Sequence, residues 1–409
     1  MAFSPGTWPV ITTTILLAWA AAASGRGINV GDMLMMDRFL RWQAAHNRSY
    51  PSMGGRLRRF QVYRGNVEYI DATNRRGNLT YQLRENQFAD LTREEFLAKF
   101  TSYDGDYRTE DDNAVITTAQ GANANMWSSG GVDVFLNPAS VDWRAKGAVV
   151  PPKAQTSSCY VVSSWAFVAV ATIESLHSIN TGKLVPLSEQ QLVDCDQYNG
   201  GCNRGSFRRA FHWVHQNGGL TTEAEYPYTA AQGTCDTAKS DHHVAAITGH
   251  ASVPGSNELA MKHAVAKQPV AAAIELGNDI QFYKSGIYSG PCGTRLQHAV
   301  TVVGYDADES TGEKFWIVKN SWGQTWGEHG YIRMQRKILG PGALWHDARR
   351  CLPDHVNVSY TASSVIDLLH RVCINCNFTG RLHTYYMRHV HVKHMESEPL
   401  VLHGTAETS

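Results

Sequence analysis

The chain has 409 residues, 43% hydrophobic and 18% charged, the composition of a globular protein long enough for one to three domains. Its 37 Lys and Arg balance 37 Asp and Glu, and a formal charge of zero argues against nucleic acid or an anionic membrane as partner. The first element is an apolar run from Val10 to Ala23, too short for a comfortable membrane span and ending in small residues. It predicts a secretory signal peptide over residues 1–23, although no Lys or Arg precedes it. That route permits disulfides, and eight cysteines are available, at positions 159, 195, 202, 235, 292, 351, 373 and 376. Sequons at Asn47, Asn78, Asn357 and Asn377 are candidate glycan acceptors.

Residues 24–100 form the next unit, with a helical interleaving of apolar and charged side chains from Asp32 to Phe100. Residues 101–136 lack periodicity, acidic at first and then rich in Gly, Ser and Asn, which predicts a linker open to processing cuts. A helix is predicted from Ser164 to about Ile179, with Phe167, Val170, Ala171 and Leu176 apolar and Thr181-Gly182 as its stop. Ala271 to Ile274, Ala299 to Val303 and Phe315 to Val318 read as short buried strands. Helices first and strands second predict an α+β protein.

Several motifs then fall in order. Arg59, Tyr63, Asn66, Ile70 and Asn74 keep the spacing of a Glu-Arg-Phe-Asn-Ile-Asn helix, with Gly55 in the glutamate position. Asn86, Phe88 and Asp90 keep three residues of Gly-Asn-Phe-Asp, with Arg84 replacing the glycine. Gln155 to Phe167 follows the pattern Gln-x-x-Cys-Gly-Ser-Cys-Trp-Ala-Phe, but a serine, Ser164, precedes Trp165. Cys159 and Trp165 enclose five residues where the pattern has three. His298 opens His-Ala-Val, and Asn320 opens Asn-Ser-Trp-Gly, 134 and 156 residues after Ser164.

On these residues the chain, over about 33–342, resembles the papain-like cysteine peptidases with their inhibitory prodomain. The resemblance implies an α+β, two-lobed domain over 137–342, one lobe helical and one an antiparallel β-barrel, behind a small helical prodomain over 24–100. It implies His298 as general base and acid, Asn320 as its orienting partner, Trp322 as a shield over that bond and Gln155 as oxyanion donor. Ser164 stands where the nucleophilic cysteine belongs, so the chain is expected to be weak or inactive as a peptidase; the alternative is a pseudopeptidase that binds peptides or inhibitors. Gly205 is expected to pair with substrate backbone, with Phe207, Ala273 and Leu296 lining an apolar pocket, unless they are ordinary core. Cys159 is expected to bond Cys202, Cys195 to bond Cys235, and Cys292 to bond a cysteine near the mature C-terminus.

The resemblance ends at Gly342. Codons permissible for 343–355, read one nucleotide later, can spell Leu-Cys-Gly-Thr-Thr-Leu-Asp-Val-Ala-Tyr-Pro-Thr, the ending the family would have. Residues 343–409 are therefore expected to be an aberrant tail, disordered or frameshifted. Its Cys373 to Cys376 pair and His383, His389, His391 and His394 carry no metal expectation. No cofactor is implied. Expected partners are protein or peptide substrates, the chain's own prodomain and cystatin-type inhibitors, for a monomer in the secretory pathway, vacuole, lysosome or extracellular space.

Overall fold

A computed structural model describes residues 30–101, 137–155, 163–253, 258–290 and 296–336, with the backbone of Val356–Tyr360. The segment expected to be a signal peptide, nearly all of the expected linker, Cys159, Cys292, Cys351 and the rest of the tail lie outside the described residues.

Helices α1 (Val30–Ala45) and α2 (Met53–Asn74) follow from apolar side chains at helical spacing. Met36, Phe39 and Trp42 of α1 meet Phe60, Tyr63 and Val67 of α2 in a small core of their own. Ser52 starts α2 by accepting from the Gly55 amide at 3.1 Å. The motif residues of α2 then tie down the chain that follows. Asn66 donates to the carbonyls of Ala89 and Leu91 at 2.8 and 2.9 Å, and Asn74 both donates to and accepts from the Leu83 backbone at 2.9 Å. The helical pattern predicted up to Phe100 is interrupted. Gly77, at φ 71°, turns the chain after α2, and β1 (Tyr81–Leu83) pairs antiparallel with Tyr283–Gly286 instead. Helix α3 (Arg93–Phe100) opens with a capping box between Thr92 and Glu95. Arg59 forks onto the same Glu95 with both bonds at 2.6 Å.

After β2 (Val141–Asp142) comes the helical lobe: α4 (Ser164–Thr181), α5 (Glu189–Cys195), α6 (Phe207–Asn217) and the short α7 (Thr237–Ser240). Every residue of α4 from Ser164 to Leu176 is buried, as its near lack of charge requires, and Gly182 ends it in the left-handed region at φ 73°. Phe207, Ala210, Phe211 and Val214 give α6 one apolar face, which packs with Trp165, Val168 and Leu176 of α4.

The β lobe holds β3 (Gly249–Val253), α8 (Glu258–Lys267), β4 (Val270–Ile274), β5 (Tyr283–Tyr288), β6 (His298–Ala307), β7 (Lys314–Lys319) and β8 (Tyr331–Gln335). The sheet order is β1-β5-β8-β7-β6-β4-β9-β3, where β9 is Val356–Tyr360, and β2 also pairs β6. All neighbours are antiparallel except β5 and β8. The N-terminal segment thus contributes an edge strand to the sheet of the β lobe.

Strand β9 (Val356–Tyr360) departs from the expectation of a tail without order. It lies between β3 and β4, with Ala251 opposite Val358 and Ala271 opposite Asn357. The segment Val-Asn-Val-Ser-Tyr has the β-branched and aromatic content that suits a strand. Cys195 and Cys235 form the expected disulfide, with Cα atoms 4.7 Å apart. Cys202 is also disulfide-bonded, and its expected partner, Cys159, is outside the described residues.

Candidate active site

Two chain segments and two element ends build the site. Ser164 is the first residue of α4, and His298 is the first residue of β6. Segments 153–155 and 321–323 run antiparallel: Ala154 bridges Trp322, Gln155 N donates to Ser321 O at 2.8 Å, and Gly323 N donates to Lys153 O at 3.0 Å. This pairing fixes Gln155 beside Asn320 and Trp322.

His298 is fully buried, and its Nε2 lies 2.8 Å from Asn320 Oδ1. The Trp322 ring packs over the imidazole, centroids 4.8 Å apart and planes 30° apart. Ser321 Oγ donates to Gln155 Oε1 at 2.6 Å, so the amide's NH2 end is the one left to donate outward. Ser164 Oγ makes no hydrogen bond to the imidazole. It lies 3.5 Å from the backbone amide of Ala299, a distance at the edge of bonding.

Burial drives the His298 pKa down to about 4, against the opposing pull of Asn320. The backbone of Phe100 also lifts it, yet no hydrogen bond of ordinary geometry reaches Nδ1 among the described residues. In this closed form the imidazole is neutral at pH 7, a weak base with no thiolate to stabilise its charged form.

The closure comes from the N-terminal segment. Phe88, Phe96 and Phe100 set their rings edge-on to Trp322, with centroids 5.6, 5.1 and 6.2 Å away. Gln87 Nε2 donates to Trp322 O at 3.0 Å, and Asn86 Nδ2 donates to Gln281 O at 2.8 Å. Gln281 answers by donating to Phe88 O and Leu91 O at 3.1 and 3.3 Å. Tyr69 and Tyr81 both donate to the Asp279 carboxylate.

Behind Asn320 sits a cavity of about 10 Å³, room for roughly one water, lined by Lys153, Glu189, Lys319, Asn320 and Ser321 among others. Lys153 Nζ reaches Glu174, Glu189 and Glu223 at 3.2, 2.9 and 2.6 Å. Burial alone would lower the Lys153 pKa, but Glu189 and Glu174 outweigh it and raise it. Among the described residues no cluster of His, Cys, Asp and Glu could hold a metal ion.

Of the residues singled out from sequence, Gln155, Ser164, His298, Asn320 and Trp322 come together. Phe207 and Ala273 are wholly buried in the helical-lobe core, and Leu296 packs against its edge half-buried. A Cβ on Gly205 would stand 2.5 Å from the Trp165 ring, so close approach alone demands glycine there. The sequence reading missed Ser321, Gln87, the stack of Phe96 and Phe100 on Trp322, and the Lys153 cluster. Only the two phenylalanines carry a sequence signal, their i, i+4 spacing on α3.

Two lobes with a serine-bearing helix start in one, a His–Asn pair in the other and an N-terminal helical segment packed against Trp322 define a two-lobed α+β peptidase-type proprotein. The model of the papain family cysteine proteases matches residues 137–343, and that of the cathepsin propeptide inhibitor domain matches 39–96. Fruit bromelain of Ananas comosus is 41% identical over 322 residues, 78% of this chain and 86% of that protein. Vignain of Vigna mungo is 40% identical over 343 residues, 83% and 90% of the two chains. The recombinant stem bromelain precursor superposes with a TM-score of 0.68 at 40% identity, covering 80% of this chain and 99% of that one. A ragweed pollen cysteine protease in its proform gives 0.64 at 38% identity, covering 81% and 96%. The chain belongs to the papain family of cysteine proteases, as a proform whose prodomain serves as the intramolecular inhibitor.

Proposed function

We propose that this chain is a papain-family zymogen whose cleft binds peptides but whose Ser164 leaves it little or no peptidase activity. The observation that carries the reading is the uncoupled pair: Ser164 Oγ has no hydrogen bond to His298, and the imidazole is held neutral. A thiol, with an ordinary pKa of about 8.5, ionises readily at a helix N-terminus beside histidine. A hydroxyl does not, so it must surrender its proton during attack to a base placed at hydrogen-bond distance. The site's partners would then be proteins or peptides entering a secretory compartment, and cystatin-type inhibitors that fill the same cleft. Gly205 would pair with the peptide backbone, with Phe207, Ala273 and Leu296 lining an apolar pocket.

The test uses the full chain cut in the 102–136 linker. The native protein should hydrolyse a chromogenic peptide at background rate, and a thiol-directed epoxide should leave the site unlabelled. Ser164→Cys should raise hydrolysis by roughly a hundredfold or more and accept the label. Fast hydrolysis by the native chain that disappears in Ser164→Ala would sink the reading.

A further inference from the structure

The N-terminal segment departs from its motif where Arg84 stands in place of glycine, and the added side chain has a partner. Arg84 Nη2 donates to Thr325 O at 2.6 Å and lies 3.5 Å from Gly327 O, at the outer edge of bonding. Among the described residues no backbone N–H donates to either carbonyl, and no carboxylate pairs with Arg84. Its Nε is buried without a partner, so the guanidinium is held by the turn's carbonyls alone. Gln87 Nε2 takes a third carbonyl of the same turn, Trp322 O, at 3.0 Å. The turn is fixed from behind. Trp326 is fully buried and donates from its indole to Ile280 O at 3.2 Å, and Gly330 N donates to Trp326 O at 2.7 Å. Gly327 takes φ 56°, and a Cβ there would stand 2.5 Å from Tyr331 O, so the backbone that presents these carbonyls needs glycine. Three carbonyls of one rigid turn therefore meet the N-terminal segment, and a cation is the group drawn to two of them.

We propose that the 322–327 turn is a binding site for an arginine side chain of a peptide, which Arg84 fills from within the same chain in the closed form. Carbonyl oxygens carry partial negative charge, and a guanidinium brings them several N–H donors and a full positive charge. A neutral group of the same shape would make the same bonds without the charge, and glycine at position 84 would leave both carbonyls to water. The site adjoins Trp322, whose ring Phe88 meets edge-on at 5.6 Å. An arginine four residues before an aromatic residue therefore matches both contacts at once, as Arg84 and Phe88 do. The site makes no use of Ser164 or His298, so it goes beyond the reading of the cleft and holds whether or not the chain hydrolyses peptides.

The full chain cut once in the 102–136 linker tests it, with loss of the N-terminal fragment followed by gel filtration. Arg84→Gly should release the fragment about tenfold faster than the native residue does, as loss of a charge-assisted contact requires. Millimolar ethylguanidinium added to that variant should restore slow release, whereas ethylurea, its neutral counterpart, should not. A synthetic peptide of residues 79–101 should displace the fragment from the native cut chain. The same peptide with citrulline at position 84 should need about ten times the concentration. The peptide pair needs no variant protein, so it decides the matter even where Arg84→Gly folds poorly. Unchanged release in Arg84→Gly would overturn the proposal. So would equal action of ethylguanidinium and ethylurea, or equal displacement by the two peptides, or displacement by neither.

Discussion

At the scale of single residues, Lys153 decides more than its place in the sequence suggests. It is the ammonium among Glu174, Glu189 and Glu223, and Glu174 and Glu189 are nearly inaccessible to water. Lys319 adds a second ammonium at 3.9 Å from Glu174, with its own pKa lowered by burial. Burial pushes the Glu189 carboxyl up, so Lys153 is what makes charged carboxylates tolerable there. Lys153→Met should cost on the order of 3 kcal/mol at pH 7, because it strands buried acids rather than removing a favourable pair. The sign with pH follows. Stranded carboxyls have folded pKa values above the unfolded value, so their penalty fades as pH falls. Urea unfolding of Lys153→Met against the native chain should show the gap narrowing from pH 7 to pH 5. A constant gap would mean that the lysine acts by packing alone.

At the scale of elements, β9 has the largest consequence. It fills the space between β3 and β4 and pairs with both, five residue pairs on one side and two on the other. Without it, two strands present open edges with unpaired backbone groups. A chain stopped after Gly342 should therefore unfold roughly 5 °C or more below the full chain, whereas a chain stopped after Ala362 should match it. Scanning fluorimetry separates the two, and equal midpoints for both truncations would show that β9 adds nothing. The same element marks where sequence reading fails. Helix α4 is legible because its apolar run and Thr181-Gly182 stop are local, and β4, β6 and β7 are legible as short apolar runs. β9 and β1 are not, because each is a strand only through distant partners. Tyr81–Leu83 reads as part of a helical stretch until Tyr283–Gly286 is placed beside it. In the site, Gln155, His298 and Asn320 sit in short motifs and can be read directly. Lys153 pairs with carboxylates 21, 36 and 70 residues away, a pattern with no local signature.

At the scale of the whole molecule, buried titrating groups set the pH at which the closed form is firmest. Burial lowers His298 to about 4, and burial with the nearby charges of Arg208, His212 and His215 lowers His250 to about 3. Each imidazole binds its proton more readily unfolded, near pH 6.5, so each removes stability as pH falls below that value. His46 and His177 are lowered as well and act in the same sense. Burial pushes Glu189 up and raises Asp196 to about 7. These two carboxyls bind protons more readily folded, so they add stability as pH falls through their raised values towards their unfolded values near 4. Between pH 6.5 and 4.5 the two kinds of group nearly cancel. Below 4.5 the carboxyls have no more to give. The imidazoles still cost stability there, and so does Glu95, held at about 2 by the Arg59 fork against burial. Above pH 6.5 these two carboxyls ionise, and their contribution to stability falls. The full chain should accordingly show a stability plateau from about pH 4.5 to 6.5, declining on both sides, in urea titrations across pH 3 to 9. His250→Leu removes one imidazole from the balance, so the plateau should tilt upward towards acid; Glu189→Gln should tilt it the other way. A monotonic profile in the native chain, or no tilt in either variant, would show that these buried groups do not govern the closed form.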